Sequence, residues 1–132
     1  MREIKFRGIS NSGIMVYGSL VYSENIQPAI YREVGEGSWK MFDWVYVKPE
    51  TVGQFTGLLD SKGIEIYEGD ILNDQNGVKG AVEWFDELIW DSGCPHPGFY
   101  CKEWIGYGDS ELEYYLNFGN VEVIGNIHEV TK

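Results

Sequence analysis

Basic residues are scarce in this chain, with 10 Lys and Arg against 21 Asp and Glu in 132 residues and a formal net charge of −11. A protein that binds duplex DNA lines up cations along phosphates and releases counterions, and an anionic membrane surface makes the same demand. Direct DNA binding and membrane association are therefore disfavoured. Cysteine is also rare: Cys94 and Cys101 are too few for the disulfide framework of a small secreted protein. The opening residues, Met1-Arg2-Glu3-Ile4-Lys5-Phe6-Arg7, are charged from the start, with no apolar signal segment behind them. No stretch approaches the ~18 apolar residues of a membrane-spanning helix. The expectation is a cytoplasmic protein. There are two histidines, His96 and His128, neither in a zincin or nucleophile motif, and no phosphate-cradling G-x-x-x-x-G-K loop.

Glycine and aromatic residues are what the chain has in excess. Gly accounts for 17 residues, nearly double the usual share of about 7%, and Phe, Trp and Tyr make up 15% of the chain. Counting glycine as apolar and omitting tyrosine, about half of the residues are apolar, as in ordinary globular domains. The length fits one domain over residues 1–132 with a core that needs no metal or disulfide. The acid is unevenly placed. Residues 1–79 carry 8 basic and 11 acidic groups, whereas residues 80–132 carry 2 and 10.

Period-two alternation and closely spaced turn signals predict an all-β fold. Strands are expected at Glu3–Arg7, at Ile14–Tyr17 and Leu20–Tyr22 with an interruption at Gly18-Ser19, and at Ala29–Arg32 after a break at Pro28. Further strands are expected at Trp39–Phe42, Trp44–Val47, Gln54–Thr56, Ile64–Tyr67, Ile71–Leu72 and Val78–Phe85. A last strand or strand pair is expected within Val121–Glu129. Lys48-Pro49-Glu50-Thr51 suits a single helical turn, with proline at its first position. Asp60-Ser61-Lys62-Gly63 reads as a type I turn, and Asn76-Gly77 is the strongest hairpin signal. Glu111–Leu116, with Ser110 as its cap, is the only candidate helix longer than one turn.

Three blocks resemble the YopX family of small phage and prophage proteins: the opening Met1–Arg7, the stretch Val52–Leu72, and the closing Val121–Glu129. The middle block carries Val52-Gly53-Gln54-Phe55-Thr56-Gly57-Leu58, Asp60-Ser61-Lys62-Gly63 and Glu65-Ile66-Tyr67-Glu68-Gly69-Asp70-Ile71. The blocks span about 37 residues in the family's order. The resemblance implies a small SH3-like barrel or roll with β extensions, at most one short helix, and a phage or prophage origin in a bacterial host. It transfers no catalytic or binding residue and implies no biochemical activity. Residues 18–48 and 86–118 do not carry the family pattern, and 86–118 reads as an irregular, aromatic-rich insertion. Within the matched blocks the glycines suit turns and bulges, and Asp70 suits a turn in which its side chain accepts backbone N–H groups. Ile66, Ile71, Val82, Val123 and Ile127 have strand spacing and are expected in the core.

The residues offer little chemistry. Cys94, His96 and Cys101 could supply three zinc ligands, with His128 or an acid as the fourth, but the C-x-H-x₄-C spacing lacks the second cysteine pair of ordinary zinc sites. A Cys94–Cys101 disulfide is disfavoured in a reducing cytosol. Carboxylate pairs such as Asp86/Glu87 and Glu111/Glu113 could serve a hydrolase, yet 21 acidic residues produce such pairs by chance. No catalytic residue, cofactor or metal is therefore expected. Trp90, Phe99, Tyr100, Trp104 and Tyr107 form a candidate interaction surface, because large aromatics with few cations mark interface cores. The resulting expectation is a non-enzymatic protein-binding or accessory module, with an unknown protein partner or self-association into an oligomer. The alternatives are an acidic DNA-mimic decoy of a host DNA-binding protein and, third, a small hydrolase.

Overall fold

The structure is a computed structural model that describes residues 4–85, 98–101, 116 and 119–128. The chain divides into two compact units, Met1–Phe55 and Thr56–Lys132. The first unit contains β1 (Phe6–Ile9), β2 (Met15–Ser23), β3 (Ile26–Val34), β4 (Met41–Tyr46), a 3₁₀ turn at Pro49–Thr51 and the start of β5 (Gly53–Leu59). These strands lie in the order β4-β3-β2-β1-β5. β1 to β4 form an antiparallel meander, and β5 returns antiparallel along β1. One face of this sheet is closed by Val16, Ile30 and Val47, with Phe6, Leu20, Val45 and Val52 packed around them.

Two expected interruptions are absent, each for a local reason. β2 runs straight through Gly18 because only a residue without a side chain fits there: a Cβ would lie 2.4 Å from the Tyr31 carbonyl oxygen. β3 runs through Pro28 because the ladder with β2 slips there, between Val21↔Ala29 and Ser23↔Ile26. Gln27 and Pro28 together oppose the single residue Tyr22, so the bulge removes the need for the amide proton that proline lacks. On its other side the Pro28 carbonyl accepts the Val47 N–H at 2.9 Å.

The expected single turn after Lys48 is present. Thr51 N–H donates to Lys48 O, and the Thr51 hydroxyl donates to the same oxygen at 2.7 Å while accepting the Ile9 N–H at 2.8 Å. The turn is thereby fastened to the end of β1.

In the second unit, the rest of β5 is followed by β6 (Glu65–Tyr67), β7 (Asp70–Asn73), β8 (Lys79–Phe85), β9 (Gly98–Cys101) and β10 (Glu122–Asn126). β6 lies beside β5, and the other four form a sheet in the order β10-β7-β8-β9. The core here is Ile66, Leu72, Val82, Phe99, Cys101 and Val121. The Asp60–Gly63 turn forms as expected, with Gly63 N–H bonded to Asp60 O and Gly63 at φ 81°, a conformation that glycine adopts without strain. The hairpin at Asn76-Gly77 also forms, its Asp74 carboxylate accepting the N–H groups of Asn76 and Val78 at 2.8 Å each.

The all-β class expected from the sequence is the class the chain adopts. Among the described residues the two sheets stay open and do not close into a barrel. Three further expectations are corrected. Ile71 is only half-buried and Leu72 takes the inner position, because the alternation of β7 turns Asp70 and Leu72 inward. Ile127 lies beyond the end of β10 and is 55% exposed. The stretch 86–118 is not irregular throughout, since β9 within it is a strand that supplies Phe99 and Cys101 to the core. The Glu111–Leu116 helix lies outside the described residues except for Leu116, which is helical.

Candidate interaction face

The residues singled out from the sequence do not assemble into one site among the described residues. Cys94, His96, Trp90, Trp104 and Tyr107 lie outside them, as do Asp86, Glu87, Glu111 and Glu113. Tyr100 belongs to β9, but its side chain lies outside the described set. Phe99, expected on a surface, is 6% exposed. The register pairs it with Trp84, whose ring meets it edge-on at 4.9 Å, and pairs Cys101 with Val82. Both Phe99 and Cys101 therefore face an apolar core. His128 is engaged through its backbone, which donates to Asn126 Oδ1 at 2.9 Å. Among the described residues no three His, Cys, Asp or Glu side chains converge as metal ligands.

Among the described residues, a row of exposed aromatic side chains lies on the first unit. Opposed residues of an antiparallel pair share a face, so the registers Val21↔Ala29↔Tyr46 and Ser19↔Tyr31↔Trp44 run as rows across β2, β3 and β4, and Phe42 opposes Glu33 in the next row. Ile30 and Val45 lie on the opposite face, in the core. Phe42, Trp44 and Tyr46 stand in line along β4 at 56, 58 and 52% exposure. Tyr31 holds the first two in place, stacked on Phe42 at 5.1 Å and edge-on to Trp44 at 5.3 Å. With Tyr17 these half-exposed rings offer roughly 400 Å² of apolar surface, a size at which patches on single chains are often functional.

Beside them runs a groove of about 150 Å³ lined by Val21, Ser23, Ile26, Gln27, Ala29, Trp44 and Tyr46. Ala29 and Ser23 are small, so the floor lies low between Ile26 and the two large rings. Gln27 is held at the margin, donating from Nε2 to the Val47 carbonyl at 3.0 Å and to Asn11 Oδ1 at 2.8 Å. Neither histidine, cysteine nor carboxylate lines the groove. Its chemistry is that of contact and stacking.

Charge is segregated in keeping with this. Residues 1–55 hold six basic and six acidic residues and are neutral, while residues 56–132 hold four and fifteen and carry the whole −11. Along β3 and β4 the only charged side chain on the aromatic face is Glu33, which Lys40 neutralises at 3.0 Å. Asp43 points to the other face and meets Arg32 at 3.0 Å. The sequence signal for this face was the pattern Phe42-x-Trp44-x-Tyr46, with period two and no charge of its own. Period two alone does not tell which side of such a strand is exposed.

In the second unit the polar feature is Asp60. Its Oδ1 accepts the N–H groups of Lys62 and Ile64 at 2.8 and 2.9 Å, and its Oδ2 accepts that of Val123 at 3.0 Å. Burial acts to raise its pKa, but the three backbone bonds and the nearby Lys62 ammonium outweigh it and hold the carboxyl below its ordinary value of 3.8. Ser61 adds a reciprocal pair with Val121. Asp60 is thus a structural clamp between the turn and β10.

Fold and geometry together define a small all-β protein with an aromatic sheet face and no assembled catalytic constellation among its described residues. The profile of the YopX protein family matches residues 5–132. The chain belongs to the YopX family. Among solved structures it is similar to protein EF1440 from Enterococcus faecalis, with 21% identity over 98% of this chain and 96% of that one and a TM-score of 0.55. That likeness concerns the fold. No curated protein matches. No helix among the described residues is long and apolar enough to cross a membrane.

Proposed function

We propose that this protein is a non-enzymatic binding module, phage- or prophage-encoded, that docks a protein partner through the aromatic face of β3 and β4. The observation that carries the reading is the line Phe42, Trp44 and Tyr46, the first two in ring contact with Tyr31 and all three more than half exposed, in a unit of zero net charge. Folding ordinarily hides such rings. Aromatic anchors held in one conformation lose little entropy on binding and dominate interface energies. The test is affinity capture from a bacterial host lysate with the native chain and with Trp44→Ala and Phe42→Ala. A protein retained by the native chain at high salt and lost from both variants supports the face as the docking site. Retention unaffected by either change removes it.

The −11 charge of residues 56–132 favours a second reading, an acidic decoy that occupies the basic site of a host DNA-binding protein. Capture by that route falls steeply between low and high salt and is insensitive to Trp44→Ala, so the same experiment separates the two.

A further inference from the structure

The edge beyond β4 is partly taken by the chain itself, where Ser10 bridges to Val47 and the Lys48 N–H donates to Ile9 O at 2.8 Å. What the first unit leaves open is a face. Stable domains cover each apolar side of a sheet with a second layer. Here the side opposite the Val16, Ile30 and Val47 core is also apolar along β2 to β4, and it has relief. Tyr31 and Trp44 form a row of large rings. In the next row, Val21-Ala29-Tyr46, the surface dips at Ala29, the floor of the groove of about 150 Å³. Ring row and hollow lie one side-chain repeat apart, roughly 7 Å along the strand.

We propose that this face stacks on the same face of a second copy, sheet against sheet, about a two-fold axis lying between the two rows and across β4. The proposal rests on the reading of this face as a docking surface and names its occupant. The axis sets Tyr31 of each copy over the Ala29 floor of the other, and Trp44 against Tyr46, ring on ring. A two-fold contact demands a patch complementary to itself, and a raised row beside a hollow meets that demand. The area agrees. Two such faces cover about 800 Å² of ring surface, and since apolar atoms make up a little over half of an interface, the whole contact comes to about 1,400 Å², within the range of stable ones. Charge narrows the occupant further. An acidic partner is repelled by the chain's −11. A basic one finds a single carboxylate along β3 and β4 on this face, Glu33, already held by Lys40. A second copy brings a matching neutral unit, with six basic and six acidic groups in residues 1–55. Under the same axis Glu33 faces the polar Ser23–Gln27 end of the groove, so no like charges meet.

Sedimentation of the full chain tests the inference, with Trp44→Lys and Val21→Trp as variants. Lysine at 44 removes a ring and places a charge in each half of the contact. Tryptophan at 21 fills the groove while making the face more apolar, so it breaks a contact that depends on the hollow and strengthens one that depends on greasiness alone. The native chain is expected at twice its 15.1 kDa mass, and both variants at the single mass with far-ultraviolet dichroism and cooperative unfolding retained. Where one variant fails to fold, the other carries the test. A native chain of single mass at every concentration overturns the proposal, as does a folded variant of either kind that stays dimeric. If the native chain has single mass but Trp44→Ala still abolishes capture of a host protein, self-stacking falls and the docking reading survives. If capture is also unaffected, both fall.

Discussion

Asp60 shows how much structure one short side chain can hold. Three backbone N–H groups, two from its own turn and one from Val123 far along the chain, converge on its carboxylate, and bonds to a charged acceptor are among the stronger ones. Asp60→Ala is expected to cost about 3 kcal/mol in urea unfolding at neutral pH, since it strands those donors. The acid dependence has a definite sign. A carboxyl whose folded pKa lies below its unfolded value contributes stability above the unfolded value and loses it as pH falls through the folded one. Stability should therefore drop below about pH 4, and this drop should be shallower in Asp60→Asn, which has no such proton to bind. Gly18 is a second pivotal residue: Gly18→Ala forces a methyl group against the Tyr31 carbonyl oxygen and should cost about 1–3 kcal/mol as β2 and β3 move apart.

At the scale of the element, β9 and β4 are both short and aromatic, and they have opposite fates. β9 places Phe99 and Cys101 in a core against Trp84 and Val82. β4 turns Val45 inward and leaves its rings outside. Phe99→Ala should accordingly lower stability by about 3–5 kcal/mol, whereas Trp44→Ala should cost about 1 kcal/mol or less, the worth of its edge contact with Tyr31. Thermal unfolding of the two variants side by side checks this. A large loss at Trp44 would show that its ring serves packing more than docking. β4 is legible in the sequence as an alternating run, though not the direction in which it faces; β9 is not legible, because Gly98–Cys101 lies in the stretch that reads as irregular.

At the scale of the whole molecule, the segregation of charge is the dominant feature. With every excess carboxylate in residues 56–132, self-repulsion works against the second unit's compact state, and added salt screens it. The melting temperature is expected to rise with sodium chloride. The change should come from the protection of β7, β8 and β10 amides in hydrogen exchange, with β2 and β3 little affected. A melting temperature indifferent to salt would show that the carboxylates lie too far apart to repel.

The sequence by itself determined what is local and what is shared with relatives. The strand period, the proline-led turn at Lys48–Thr51, the Asp60–Gly63 turn, the Asn76-Gly77 hairpin and the YopX resemblance are all readable there, because each depends on a few neighbouring side chains or on matched blocks. Tertiary structure alone decided which face of each strand is covered. Period two states that Phe42, Trp44 and Tyr46 share one side and Asp43 and Val45 the other, and both sides contain apolar residues. The choice fell to Val16, Ile30 and Val47, branched side chains from distant parts of the unit that close a core over β3 and leave the planar rings on the outside.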